Sequence, residues 1–123
     1  MAQFSMAARF KSIAYALTGI ATMLRTQHNA WIHLAATGAV VLLAFAFALS
    51  AMEWMALILA IVIVWSAEAL NTAFERLCDV ASPEFHPLVK QAKDVAAAAV
   101  LIAATGAAAV GLLIFGPRLF ALL

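Results

Sequence analysis

Charge is what this sequence has least of. Only 11% of its 123 residues are Asp, Glu, Lys or Arg, whereas 67% are hydrophobic, and the mean hydropathy is +1.07. A soluble domain carries roughly 25% charged residues, so there is too little charge here to cover a water-facing surface, and the expected solvent is a bilayer. With a single cysteine, Cys78, no internal disulfide can form. Its charged neighbours suggest a structural thiol on the reducing, cytoplasmic side of a membrane. A net charge of +1 supplies no basic field, so nucleic acid is not an expected partner. No linker-like stretch divides the chain, and residues 1–123 are read as one domain. Arg9, Lys11 and Arg25 interrupt the apolar core that a cleavable signal peptide would need, so no processing is expected.

What is present is helical periodicity and length. Phe10, Ile13, Ala14, Leu17, Ile20, Ala21 and Leu24 recur at i, i+3, i+4 spacing, while Lys11, Ser12, Tyr15, Thr18, Thr22 and Arg25 fill the opposite face. This predicts an amphipathic helix over about 5–27. On so apolar a protein such a helix belongs in the membrane interface; packing against other helices of the protein would give a similar pattern. Leu34 to Met52 is uncharged and long enough to cross the hydrocarbon core. After a polar break at Ser50 to Glu53, Trp54 opens a second apolar run that meets Glu68 after fourteen residues. Fourteen residues cover about 21 Å of a roughly 30 Å core, so the span is expected to continue through Glu68, Asn71 and Glu75. Ser82-Pro83 and His86-Pro87 are both helix-start signals and mark a loop. Val95 to Gly116 is again uncharged, and Pro117-Arg118 is expected to end it. Its many Ala and Gly residues predict close helix packing. The fold class is therefore an all-α membrane protein: a surface helix followed by spans over about 31–52, 54–78 and 90–116. Six cations lie before the first span or between the second and third, against Arg118 alone on the other side. That asymmetry puts the N-terminus in the cytoplasm.

The chemistry-bearing residues follow from one helix face. Glu68, Asn71, Glu75 and Asp79 fall at i, i+3, i+7 and i+11, within about 80° of arc. An ionised group in a membrane helix is costly unless it is paired or binds a cation, so intramembrane carboxylates point to function. Carboxylates on adjacent turns suit Mg²⁺, which takes one or two of them and leaves its remaining positions to water and phosphate. Lys90, Lys93 and Asp94 lie at the same depth, and a carboxylate-held metal beside lysines is what a nucleoside triphosphate needs. Neither a P-loop nor a kinase Gly-rich loop is present. The bland alternative is that Glu68 and Glu75 make buried pairs with Lys93, Arg76 or a neighbouring subunit and fix helix register. His28 and His33 are five apart and cannot share one helix face, so with His86 they are read as interfacial or hydrogen-bonded residues. Trp31 and Trp54 flank spans as interface anchors, and Trp65 is expected to pack inside.

The run from Glu68 through Asn71, Thr72, Ala73 and Glu75 to Asp79 resembles the signature of the small prokaryotic diacylglycerol and undecaprenol kinases. The likeness continues from Glu84 through His86 and Ala92 to Lys93 and Asp94. It implies a homotrimer of three-span subunits in the bacterial inner membrane, with sites shared between subunits and facing the cytoplasm. The implied reaction is transfer of the γ-phosphoryl group of ATP, with Mg²⁺, to a membrane lipid hydroxyl. By the resemblance Glu75 is the catalytic base and a metal ligand, and Glu68 sits near the acceptor hydroxyl. Asn71, Asp79, Lys93 and Asp94 contact nucleotide or order the site, and Tyr15 and Gly19 match a nucleotide-contacting Tyr and a close-packing Gly. The family's second metal-binding Glu aligns with Gln27, which offers a carbonyl oxygen but no charge, and Trp31 stands where several members have Arg.

Three readings stay open on the sequence. The first is a lipid kinase acting on diacylglycerol to give phosphatidic acid, with undecaprenol as the other acceptor; the stretches Asn29 to His33 and His86-Pro87 look closer to the undecaprenol branch. The second is a small proton- or cation-coupled transporter using Glu68. The third, motivated by Gln27, is an inactive membrane subunit.

Overall fold

A computed structural model describes residues 5–123 and consists of four helices: α1 Met6–Thr26, α2 His28–Ala46, α3 Ala51–Ala81 and α4 Pro87–Phe120. No strand occurs among the described residues. Helices α2, α3 and α4, of 19, 31 and 34 residues, are each long and apolar enough to cross a membrane. At about 1.5 Å per residue α3 and α4 exceed the roughly 30 Å hydrocarbon core, so they extend beyond it.

The exposed surface has the reverse of a soluble protein's character. Leu42, Phe45, Leu59, Leu101, Leu112 and Leu113 all point outward, as expected where lipid rather than water is the solvent. The protein is an integral membrane protein. The spine is the antiparallel pair α3 and α4, with α2 packed on α3. Its core lies at the α2–α3 turn, where Ala44, Leu49, Leu57, Ile114 and Phe115 are buried together. Phe45 meets Trp54 edge-on at 5.0 Å. Helix α1 joins the bundle through buried Met23 near its end, while Phe10, Ile13, Leu17 and Ile20 of its apolar stripe stay exposed. Such a stripe, unpartnered within the subunit, fits a helix lying in the membrane interface.

Capping moved the element boundaries. The break expected at Ser50 to Glu53 falls earlier, at residues 47–50. Ser50 and Glu53 form a capping box at the start of α3: Glu53 N donates to Ser50 Oγ (3.3 Å) and Ser50 N to Glu53 Oε2 (2.9 Å). Two orphan amides are satisfied this way, which draws both residues into the helix terminus. Ala48 closes the turn at φ 49°, a conformation that strains any residue with a Cβ. Of the two helix-start signals before α4, His86-Pro87 prevails. His86 Nδ1 accepts the Leu88 amide at 3.2 Å, whereas Ser82 ends α3 and donates its hydroxyl to Glu84 O.

The stop expected at Pro117 is not one, since α4 runs through it to Phe120. So near the terminus proline removes only one backbone bond. Arg118 meanwhile donates to Ile114 O (2.6 Å) and bridges to Glu53 at 2.8 Å, tying the end of α4 to the start of α3. Helix α4 packs along α3 as expected, whereas Gly106 and Gly111 face open space, a Cβ added at either meeting nothing within 4 Å.

Candidate functional site

The predicted stripe does line up, at the end of the bundle away from the aromatic core. Along α3, Glu68, Asn71 and Thr72 are buried and Glu75 is half-buried. Opposite them the chain bends sharply between α1 and α2 at the single extended residue Gln27 (φ −114°, ψ 118°). The Gln27 amide still closes α1 on Met23 O (2.9 Å), which leaves its side chain free to cross to α3. There Gln27 Nε2 donates to Glu75 Oε2, and Asn71 Nδ2 donates to Oε1, each at 3.4 Å. Two long amide bonds therefore hold the Glu75 carboxylate from either side. Asn71 Oδ1 is buried without a donor.

Gln27, Asn71 and Glu75 form the polar wall of a cavity of about 310 Å³, together with Asn29 and His33. Ala97, Val100, Leu101 and Ala104 of α4 make its apolar wall. A second cavity, of about 300 Å³, lies around the α3–α4 loop and is lined by Asp79, Glu84, His86, Lys90, Lys93 and Asp94 among others. Lys93 pairs there with Asp79 across the helices at 2.9 Å, and Lys90 with Asp94 along α4 at 2.5 Å. Both pairs are substantially exposed, so they are weakly held and open to exchange for a ligand.

The structure does not bring every expected residue to the site. Tyr15 is 72% exposed and lines neither cavity, and Gly19 borders open space. Glu68 is fully buried, yet it pairs with neither Lys93 nor Arg76. Its nearest charged or titratable partner is His33, with Nε2 3.6 Å from Oε2, and no hydrogen bond reaches either carboxylate oxygen. Sequence reasoning set His33 aside as an interfacial or hydrogen-bonded residue and did not pair it with Glu68. The residue belongs to another helix, and nothing in the spacing along either helix reports which residues face each other across them. Trp65 is half-buried rather than packed wholly inside, and it donates Nε1–H to Thr37 Oγ1 at 3.0 Å. Its ring meets His33 edge-on at 6.4 Å.

Among the described residues no three His, Cys, Asp or Glu side chains converge on one point. That is compatible with Mg²⁺, which needs only one or two protein carboxylates when phosphate supplies further oxygens. Glu75 offers a carboxylate, and Gln27 and Asn71, which turn their amide nitrogens to it, carry carbonyl oxygens that reversal of the amides would bring to the same ion, so the residue types present fit it.

A profile of the family described as "Prokaryotic diacylglycerol kinase" matches residues 14–115. The chain is 44% identical over 110 residues to the undecaprenol kinase of Bacillus subtilis, an alignment covering 89% of each chain. It is 38% identical over 113 residues to the diacylglycerol kinase of Synechocystis, covering 91% of this chain and 65% of the other. With a diacylglycerol kinase of Helicobacter pylori it shares 36% identity over 100 residues, 76% of this chain and 73% of that one.

Proposed function

This chain belongs to the prokaryotic diacylglycerol kinase family and is a membrane lipid kinase, and on that premise we propose that it phosphorylates a long-chain polyprenol of the undecaprenol type. The observation that carries the reading is the cavity in which Glu75, held by Gln27 and Asn71, faces an apolar α4 wall. A lipid alcohol has that same division, an apolar chain ending in one polar group. The polyprenol is preferred over diacylglycerol, towards which the sequence reading leaned, because the undecaprenol kinase relative aligns at 44% identity over 89% of both chains. The transporter reading rested on Glu68 alone and is replaced by the family assignment.

In this proposal ATP is the phosphoryl donor and Mg²⁺ its counter-ion. Glu75, with the carbonyl oxygens of Asn71 and Gln27 once their amides reverse, would hold the ion. When bound, Mg²⁺ neutralises charge developing on the transferred phosphoryl group. Lys93 and Lys90 exchange their carboxylate partners Asp79 and Asp94 for nucleotide phosphate, and the freed carboxylates order the loop. Tyr15 and Gly19 are assigned to the nucleotide site on family likeness alone. A homotrimer with sites between subunits would cover the apolar faces of α3 and α4 that one subunit leaves open. Six of seven cations at the α1 and α3–α4 loop end orient the site to the cytoplasm in a bacterial inner membrane.

The test is transfer of labelled phosphate from ATP in detergent micelles to undecaprenol and to diacylglycerol, offered separately, with and without Mg²⁺. Mg²⁺-dependent transfer to undecaprenol, lost in Glu75→Gln with helicity retained, is the expected result. Transfer to diacylglycerol alone would reassign the acceptor, and transfer to neither would mark an inactive subunit.

A further inference from the structure

Ala97, Val100, Leu101 and Ala104 recur at i, i+3, i+4 and i+7 and so share one face of α4, the face that walls the cavity of about 310 Å³. None of these side chains carries a hydrogen-bond donor, and the backbone amides of a mid-helix segment are bonded within the helix itself. Lys93, one turn before Ala97, lines the other cavity and not this one. Every side-chain N–H that lines the cavity therefore belongs to the opposite, polar wall. On that wall Asn71 is only 7% exposed and its Oδ1 has no donor, so the wall calls for a hydroxyl or a cation and not for a further acceptor oxygen. Ile32 of α2 and Leu101 of α4 both line the cavity and are both largely exposed on the apolar surface. An apolar chain whose head lies in the cavity has a way out between them into the bilayer.

We propose that this donor-free face of α4 selects the lipid acceptor: it receives the first prenyl units behind the hydroxyl of a polyprenol and rejects the ester carbonyls of a diacylglycerol, with Ala97 the specificity-determining position. The proposal rests on the polyprenol kinase reading above and gives that preference a physical cause. In a diacylglycerol the two esters stand on the carbons next to the one that carries the hydroxyl. A hydroxyl placed at the polar wall takes at least one ester into the cavity with it. There the carbonyl loses its water and meets no N–H on α4, and an acceptor left unsatisfied in this way is costly. Behind the hydroxyl of a polyprenol there is only hydrocarbon, which gains from burial against the same face. Ala97 and Ala104, at the two ends of the face, are small enough to leave room for branched prenyl units. Ala97 lies nearer the loop end, where Lys93 and Asp94 begin the polar part of α4, and so stands where an ester would come to rest. An apolar pocket rejects an added polar group by about a hundredfold at most, so a preference of about 10- to 100-fold in kcat/KM is expected.

The test measures kcat/KM of the full chain in detergent micelles, with ATP and Mg²⁺, for undecaprenol, a 1,2-diacylglycerol and the matching 1,2-dialkylglycerol. The dialkylglycerol keeps both chains and loses both carbonyls, so wild type should use it at least about fivefold better than the diacylglycerol, the lower end of what one unsatisfied acceptor costs. In Ala97→Asn, which puts an N–H on the α4 face, diacylglycerol should gain at least about fivefold relative to undecaprenol. Ala97→Leu has nearly the same shape without the N–H and should not shift the ratio toward diacylglycerol. If wild type uses the two glycerol lipids equally well, or if Ala97→Asn and Ala97→Leu move the ratio alike, the α4 face is not the selector, while the polyprenol kinase reading stands. If wild type prefers diacylglycerol to undecaprenol, the acceptor reading fails and takes the proposal with it; if it phosphorylates none of the three, the kinase reading itself fails at this chain. Where Ala97→Asn loses its fold, the comparison of the two glycerol lipids in wild type decides alone.

Discussion

Replacing Gln27 by Glu would put a second carboxylate where an amide now donates to Glu75 Oε2 at 3.4 Å. The favourable contact becomes a repulsive one. At that distance two unit charges repel by about 5 kcal/mol for an effective dielectric of 20, and by about 1 kcal/mol in bulk water. Glu75 is half-buried, so the effect falls between these limits and is relieved by a divalent cation placed between the carboxylates. Attraction of the added charge for Mg²⁺ is expected to tighten its binding about ten- to a hundredfold, equivalent to ~1.4–2.8 kcal/mol. The assay is the rate of phosphoryl transfer as free Mg²⁺ is titrated at saturating ATP, read beside the thermal midpoint with and without the ion. Gln27→Glu should saturate at lower Mg²⁺ than wild type. It should also melt below wild type without Mg²⁺ and recover when the ion is added. An unchanged Mg²⁺ midpoint together with a melting curve indifferent to the ion would refute the assignment of Gln27 and Glu75 to one metal site.

Two further predictions concern the opposite end of the bundle. Ala48→Gly should raise stability in micelles by about 0.5–1 kcal/mol, because glycine adopts positive φ without the Cβ strain, offset by its greater freedom when unfolded; reversible denaturation by a second detergent reads the change. Glu53→Ala should lower the thermal midpoint more than Ser50→Ala does, since only the former removes both the capping box and the bridge to Arg118. Equal losses would mean that the bridge to Arg118 contributes nothing.

The fold was legible because membrane solvation enforces a simple code. Runs such as Leu34 to Met52 and Val95 to Gly116 have no structure open to them but helix once backbone groups must be satisfied without water. Their ends were less legible. Ser50 and Glu53 read as a polar interruption until each is seen bonding the other's amide. Pro117 reads as a stop, but this late in α4 it interrupts little.

The site divides along the same line. That Glu68, Asn71, Glu75 and Asp79 share a face follows from the pitch of one helix, which depends on local bonds alone, and so the stripe was determined by the sequence itself. Which residues meet that stripe from other helices depends on the rotation and sliding of one helix against another, and packing over the whole bundle sets both. Only the tertiary structure could bring Gln27 to Glu75, 48 residues away, or turn His33 toward Glu68. It likewise left Tyr15 outside both cavities. Periodicity places a side chain on its own helix, and the packing of helices decides what it faces.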